Sequence, residues 1–136
     1  MNQIDHLGIA VKSLSDAKNF YEKLGLKPMP EETVETEKVR LSMVPVGESR
    51  IELLEPTSED SPVARFLARR GGGVHHICFA VDDIEAALAD LKGRGFRLLH
   101  DQPVPGADGK RVAFLHPDAG QGVLIELSQS APGGVR

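Results

Sequence analysis

Residues 74–87 read VHHICFAVDDIEAA, and residues 4–17 read IDHLGIAVKSLSDA. Both follow one plan: an alternating strand, a two-residue turn, then the start of a helix. His76 falls on His6, an offset of 70. Each helix then runs to a glycine before an apolar residue, Gly25-Leu26 in the first copy and Gly95-Phe96 in the second. Glycine there supplies a left-handed C-terminal cap. Further on, KVRLSMVP (38–45) resembles RVAFLHP (111–117), with Pro45 set against Pro117. SRIELLE (49–55) resembles VLIELSQ (123–129), and Glu52 falls on Glu126 at an offset of 74. The drift from 70 to 74 fits an insertion in QPVPGADGK (102–110), a stretch rich in turn formers.

Repeats of this kind define the architecture before any single residue does. Each half reads as a strand, a helix, then two or three strands. The expected fold is α+β, with module one over about residues 1–57, a connector over about 58–73 and module two over about 74–129. In the connector, Ser61 caps a short helix with Pro62 in its first turn, and Gly71 to Gly73 end it. Such a half exposes an apolar sheet face, and pairing with a second half covers it.

Strand alternation assigns the side chains to faces. Leu7, Ile9 and Val11 share one face, and Ile77, Phe79 and Val81 the equivalent one. These bulky faces are expected to pack on the helices. The other faces carry His6, Gly8 and Ala10, and His76, Cys78 and Ala80. Small residues there leave space above each imidazole, where a packed core would fill it. His75 lies on the opposite face from His76 and is the weaker candidate.

A strand histidine is ordinarily a satisfied core residue, and a strand glutamate ordinarily faces water. Two of each at equivalent positions of a repeat change the expectation, because halves related by a pseudo-twofold bring all four to one axis. His6, Glu52, His76 and Glu126 therefore form a candidate site for a divalent ion. Two imidazoles and two carboxylates suit Co²⁺, Mn²⁺, Ni²⁺ or Zn²⁺. On an octahedral ion, four protein ligands leave two positions for substrate oxygens, the arrangement that polarises a carbonyl and stabilises an enolate.

Composition narrows the alternatives. The chain has 136 residues, 40% hydrophobic and 26% charged, the size and balance of a single globular domain. The net charge of -4, with scattered Lys and Arg, offers no footprint for nucleic acid. Trp is absent and there is one Tyr, which argues against stacking platforms for bases. Cys78 is the sole cysteine, so neither an internal disulfide nor a cysteine zinc cage is available. No basic leader precedes an apolar segment, and no apolar run approaches the ~20 residues of a membrane span. A cytoplasmic location without membrane association is expected.

The stretches IDHLGIAV, IELLEPTSEDSPVARFLARRGGGVHHICFAVDDIEAAL and GKRVAFLHPDAGQGVLIELSQ together resemble the vicinal oxygen chelate superfamily and, within it, the methylmalonyl-CoA epimerase family. They span Ile4 to about Gln129. The resemblance implies paired βαβββ modules cupped around a metal site, and interconversion of (2R)- and (2S)-methylmalonyl-CoA by α-proton abstraction through an enolate. It makes His6, Glu52, His76 and Glu126 the metal ligands, though some members carry Gln in place of Glu52. The expected ion is Co²⁺, with Zn²⁺, Mn²⁺ or Ni²⁺ as alternatives. The expected partners are an acyl-CoA substrate and a second copy in a homodimer.

Glu126 is the expected catalytic base for one side of the α carbon. For the other side, some members have a glutamate on the strand corresponding to KVRLSMVP, and the alignment sets Arg40 there. Arginine does not deprotonate, so Arg40 cannot act as that base. Glu37 or a metal-bound water are the other candidates. Lys110 and Arg111 are candidate contacts for the substrate carboxylate or CoA phosphates. His116 reads as structural or substrate-adjacent, and Cys78 as a small buried residue rather than a fifth ligand.

Three other readings from the same superfamily fit this chain less well. A glyoxalase I-like lyase usually carries an Arg soon after the first His, where this chain has HLGIAV. A metal-dependent dioxygenase typically uses three ligands and keeps one face of the ion free. A drug-sequestering binding protein of the same superfamily has usually lost its ligands and lines its cup with aromatics.

Overall fold

The computed structural model describes residues 1–106 and 109–131. Ala107 and Asp108, in the stretch read as an insertion, lie outside the described residues. Both halves have the βαβββ order. The first comprises β1 (Gln3–Ala10), α1 (Leu14–Lys23), β2 (Glu32–Val34), β3 (Val39–Val46) and β4 (Ser49–Pro56). Helix α2 (Pro62–Arg70) follows as the connector. The second half comprises β5 (Gly73–Ala80), α3 (Ile84–Gly93), β6 (Val104–Pro105), β7 (Arg111–Phe114) and β8 (Leu124–Gln129), with a 3₁₀ turn at Pro117–Gly120. The expected loop 102–110 thus contains β6, a two-residue edge strand where Pro105 is tolerated.

By contacts the chain divides into two units, His6–His75 in one, and Met1–Asp5 with the chain from His76 onward in the other. The division cuts β1 between Asp5 and His6. The first residues are tied to the second half: Asn2 N–H donates to Ala80 O at 3.1 Å, and its side chain donates to Asp82 Oδ1 at 2.9 Å.

In the first unit the strand order is β2-β3-β4-β1, with β1 parallel to β4. In the second it is β5-β8-β7-β6, with β5 parallel to β8. The ladders repeat residue for residue: Gly8 stands opposite Glu52, and Cys78 opposite Glu126. One landmark shifts. Antiparallel pairing sets Met43 opposite Glu52 and Phe114 opposite Glu126. Pro45 therefore corresponds to His116 rather than to Pro117. The two prolines do different jobs: Pro45 lies within β3, whereas Pro117 opens the 3₁₀ turn.

Helix ends follow the local chemistry. Ser13 and Asp83 accept from the backbone N–H of Asp16 and Ala86. Gly25 (φ 95°) and Gly95 (φ 90°) close α1 and α3 with paired bonds to the last turn: Leu26 N–H reaches Tyr21 O, and Phe96 N–H reaches Leu91 O, both at 3.1 Å. Ser61 caps α2, Pro62 starts it and Gly71 (φ 77°) ends it.

A second set of caps comes from the strands. Leu14 N–H donates to Glu55 Oε2 at 2.6 Å, and Ile84 N–H donates to Gln129 Oε1 at 2.9 Å. Glu55 and Gln129 each lie three residues beyond a candidate ligand, so each β4 or β8 strand presents its ligand to one face and caps a helix on the other.

Three apolar clusters form the cores. Leu14, Val44 and Leu53 join Ile9 and Val11 beneath α1. Ile84, Leu88 and Leu127 join Phe79 and Val81 beneath α3. In the first unit α2 covers the other sheet face at the Ala10 end: Val63 and Phe66 pack with Ala10, Val39, Leu41 and Leu54. Side chains such as Leu53 and Leu127, both fully buried, each contribute about 1.5–3 kcal/mol.

Candidate metal centre

Each unit carries one histidine–glutamate pair on the face away from its α1- or α3-covered core. In the first, His6 Nε2 lies 3.6 Å from Glu52 Oε1. In the second, His76 Nε2 lies 3.6 Å from Glu126 Oε1. The four side chains are only 7–13% exposed. The separation is too long for a hydrogen bond. It suits two ligands of one ion, since donors held at ~2.0–2.2 Å stand roughly 3–4 Å apart across it. An imidazole nitrogen and a carboxylate oxygen, both turned to the same point within a buried face, form a donor set that fits a divalent metal. Within each unit the expected residues are together.

Around Glu126 the neighbouring strands place Cys78 and Phe114. Cys78 faces it across the ladder and is fully buried. Burial, and after it the negative charge of Glu126, push the Cys78 thiol far up, so it remains protonated. This fits its reading as a small buried residue. Phe114 stands on the other side of Glu126, and its ring meets His76 edge-on, with centroids 6.4 Å apart at 81°. His75 turns away from His76, as alternation requires, and meets Phe66 of α2 edge-on at 5.1 Å.

Two placements differ from expectation. Arg40 does not lie on the Glu52 face. It is paired with Glu55, its Nη2 donating to Oε1 at 3.1 Å, and its Nε lies 3.8 Å from Glu31 Oε1. The β3 residues on the Glu52 face are Val39, Leu41 and Met43. One step of register separates the two readings, and one step reverses the face. Arg111, a candidate substrate contact, shares the helix-side face with Gln129, and its Nη2 donates to Glu85 Oε1 of α3 at 2.5 Å.

Lys110 is the more informative of the two basic candidates. Its Nζ donates to Asp5 Oδ1 at 3.0 Å, with the side chains 9% and 4% exposed. A buried ammonium beside a buried carboxylate avoids the cost of leaving either charge alone. Glu37 is exposed in the β2–β3 turn, beside the Val39–Pro56 end of the ladder that carries Met43 and Glu52 further along. His116 caps the 3₁₀ turn, its Nδ1 accepting from Asp118 N–H at 3.2 Å.

Sequence reasoning did not pick out Asp5, Met43 or Phe114. The signal for the last two was available in the alternation of KVRLSMVP and RVAF. Using it required the pairing register.

Residues 5–114 match the family described as the Glyoxalase/Bleomycin resistance protein/Dioxygenase superfamily. The chain belongs to this superfamily. Within it the chain is similar to methylmalonyl-CoA epimerases. The mitochondrial methylmalonyl-CoA epimerase of Homo sapiens is 42% identical over 137 residues, covering 96% of this chain and 75% of the relative. The ethylmalonyl-CoA/methylmalonyl-CoA epimerase of Cereibacter sphaeroides is 39% identical, covering 95% and 98%. Among solved structures, a single-residue variant of the Streptomyces coelicolor methylmalonyl-CoA epimerase in complex with 2-nitronate-propionyl-CoA superposes with a TM-score of 0.87 at 43% identity, covering 95% and 94%.

Proposed function

We propose that this protein interconverts (2R)- and (2S)-methylmalonyl-CoA, removing the proton α to the thioester and returning it on the opposite face. The observation that carries the reading is the pair of little-exposed histidine–glutamate couples, at equal separations and equivalent ladder positions in the two units. His6, Glu52, His76 and Glu126 together are read as the ligands of one divalent ion, Co²⁺ first and Zn²⁺, Mn²⁺ or Ni²⁺ as alternatives. When bound, that ion supplies a Lewis acid for the oxygen that gains charge as the α proton leaves.

The chain's own groups supply the rest. Glu126 exchanges the proton on one face of the α carbon, its carboxylate bounded by the neutral Cys78 and the apolar Phe114, and a second acid–base group on the opposite face completes the inversion. Low exposure keeps water from competing for the carbanionic carbon. Lys110 neutralises Asp5, the residue bonded to His6. Arg40 takes no part in proton transfer, because it is permanently charged and engaged by Glu55 on the other face.

The reading extends to a homodimer in the cytoplasm. Among the described residues no helix is long and apolar enough to cross a membrane.

Incubation of the Co²⁺-loaded protein with one methylmalonyl-CoA epimer in deuterated water tests the reaction. Deuterium enters the α position as the second epimer accumulates, and chelator abolishes both. Exchange no faster than in the protein-free control overturns the proposal.

A further inference from the structure

Phe114 is an aromatic residue that the core does not use. Its strand neighbours Ala113 and Leu115 are buried in the cluster beneath α3, whereas Phe114 points to the opposite face and is only half-buried. Antiparallel pairing places it directly across from Glu126, and side chains so paired have Cβ atoms about 4.5–5.5 Å apart.

The backbone of Phe114 is held from the sheet edge. Its N–H donates to His100 Nδ1 at 3.1 Å, and its carbonyl accepts from Leu99 N–H at 2.9 Å and His100 N–H at 3.3 Å. The His100 ring leans on it from behind, with centroids 5.9 Å apart. A half-exposed apolar ring, braced on one side and set against a candidate ligand and base on the other, is a fixed wall.

The substrate's chemistry indicates what meets that wall, and this step rests on the epimerase reading. The α carbon carries a thioester carbonyl, a carboxylate, a hydrogen and an alkyl branch. On that reading the two oxygen-bearing groups would meet the ion held by the four candidate ligands, and the hydrogen would face Glu126. The alkyl branch remains, and an α carbon within reach of Glu126 has that branch within reach of Phe114. We infer that Phe114 is a specificity-determining residue, whose ring limits the size of the α-alkyl branch the site accepts.

The experiment compares kcat/KM for methylmalonyl-CoA and ethylmalonyl-CoA, which differ by one methylene, in the Co²⁺-loaded protein and in Phe114→Ala, Phe114→Leu and Phe114→Trp. One methylene in an apolar pocket changes discrimination by about tenfold or more. The ethyl-to-methyl ratio should rise by about that factor in Phe114→Ala, rise less in Phe114→Leu and fall in Phe114→Trp. Co²⁺ affinity measured by calorimetry should stay within about twofold of the parent, since the ring donates no ligand. A ratio that stays constant across the soluble variants, while the parent epimerises methylmalonyl-CoA, overturns the assignment of Phe114 alone. A parent that epimerises neither thioester removes the epimerase reading, and this inference with it.

Discussion

Cys78 stands directly opposite Glu126 in the parallel β5–β8 ladder, at the position that Gly8 holds opposite Glu52 in β1–β4. A small side chain next to each carboxylate leaves it room to turn toward the imidazole two residues earlier on the neighbouring strand. Both His–Glu pairs then close to the same 3.6 Å.

The two members of the second pair should separate on mutation. Glu126→Gln keeps an oxygen donor but removes the proton acceptor, so turnover should fall by roughly 10²–10⁴-fold or more. His76→Ala removes the nitrogen donor itself. Isothermal titration with Co²⁺ should show a larger loss of affinity for His76→Ala than for Glu126→Gln. The reverse order would contradict the division of labour.

Lys110 and Asp5 should behave as a coupled buried pair. Lys110→Met removes the ammonium beside Asp5 and should destabilise the fold by roughly 3–5 kcal/mol. The double variant Asp5→Asn with Lys110→Met should recover part of that loss. Urea midpoints of the parent, both single variants and the double variant close the cycle, and strict additivity would show that the contact carries no coupling.

Leu53 and Leu127 occupy equivalent positions beneath α1 and α3, each without exposed surface. Leucine to alanine at either should cost about 2–5 kcal/mol. Thermal unfolding should show two losses of similar size, because each leucine is the central strand contact of its own cluster.

Asp60 provides a pH-dependent test away from the candidate centre. Its hydrogen bond from Lys38 holds its carboxyl down at about 2, below the ordinary 3.8. A lowered folded-state value stabilises the fold above the unfolded value, and that contribution disappears as pH falls through the folded one. Asp60→Asn should therefore melt below the parent at pH 7, by a small margin because the pair is exposed. The gap should narrow steeply between pH 4 and pH 2. A gap undiminished at pH 2 would assign it to something other than this ion pair.

The sequence by itself determined the repeat, the strand–helix–strands order of each half, the helix caps at Ser61, Gly25 and Gly95, and the placing of His76 and His75 on opposite faces. These depend on local rules: side-chain periodicity, capping chemistry and the sign of φ. The candidate ligands were equally legible, because both copies carry the same residue types at matched positions.

Only tertiary structure decided what faces those ligands. Arg40 and Arg111 turned to the helix side, Met43 and Phe114 to the carboxylates, and Lys110 to Asp5, 105 residues away. The physical reason is that strand register and charge pairing are non-local. A strand's own alternation says which residues share a face, but its hydrogen bonds to a neighbour decide which face that is, and one residue of slip exchanges them.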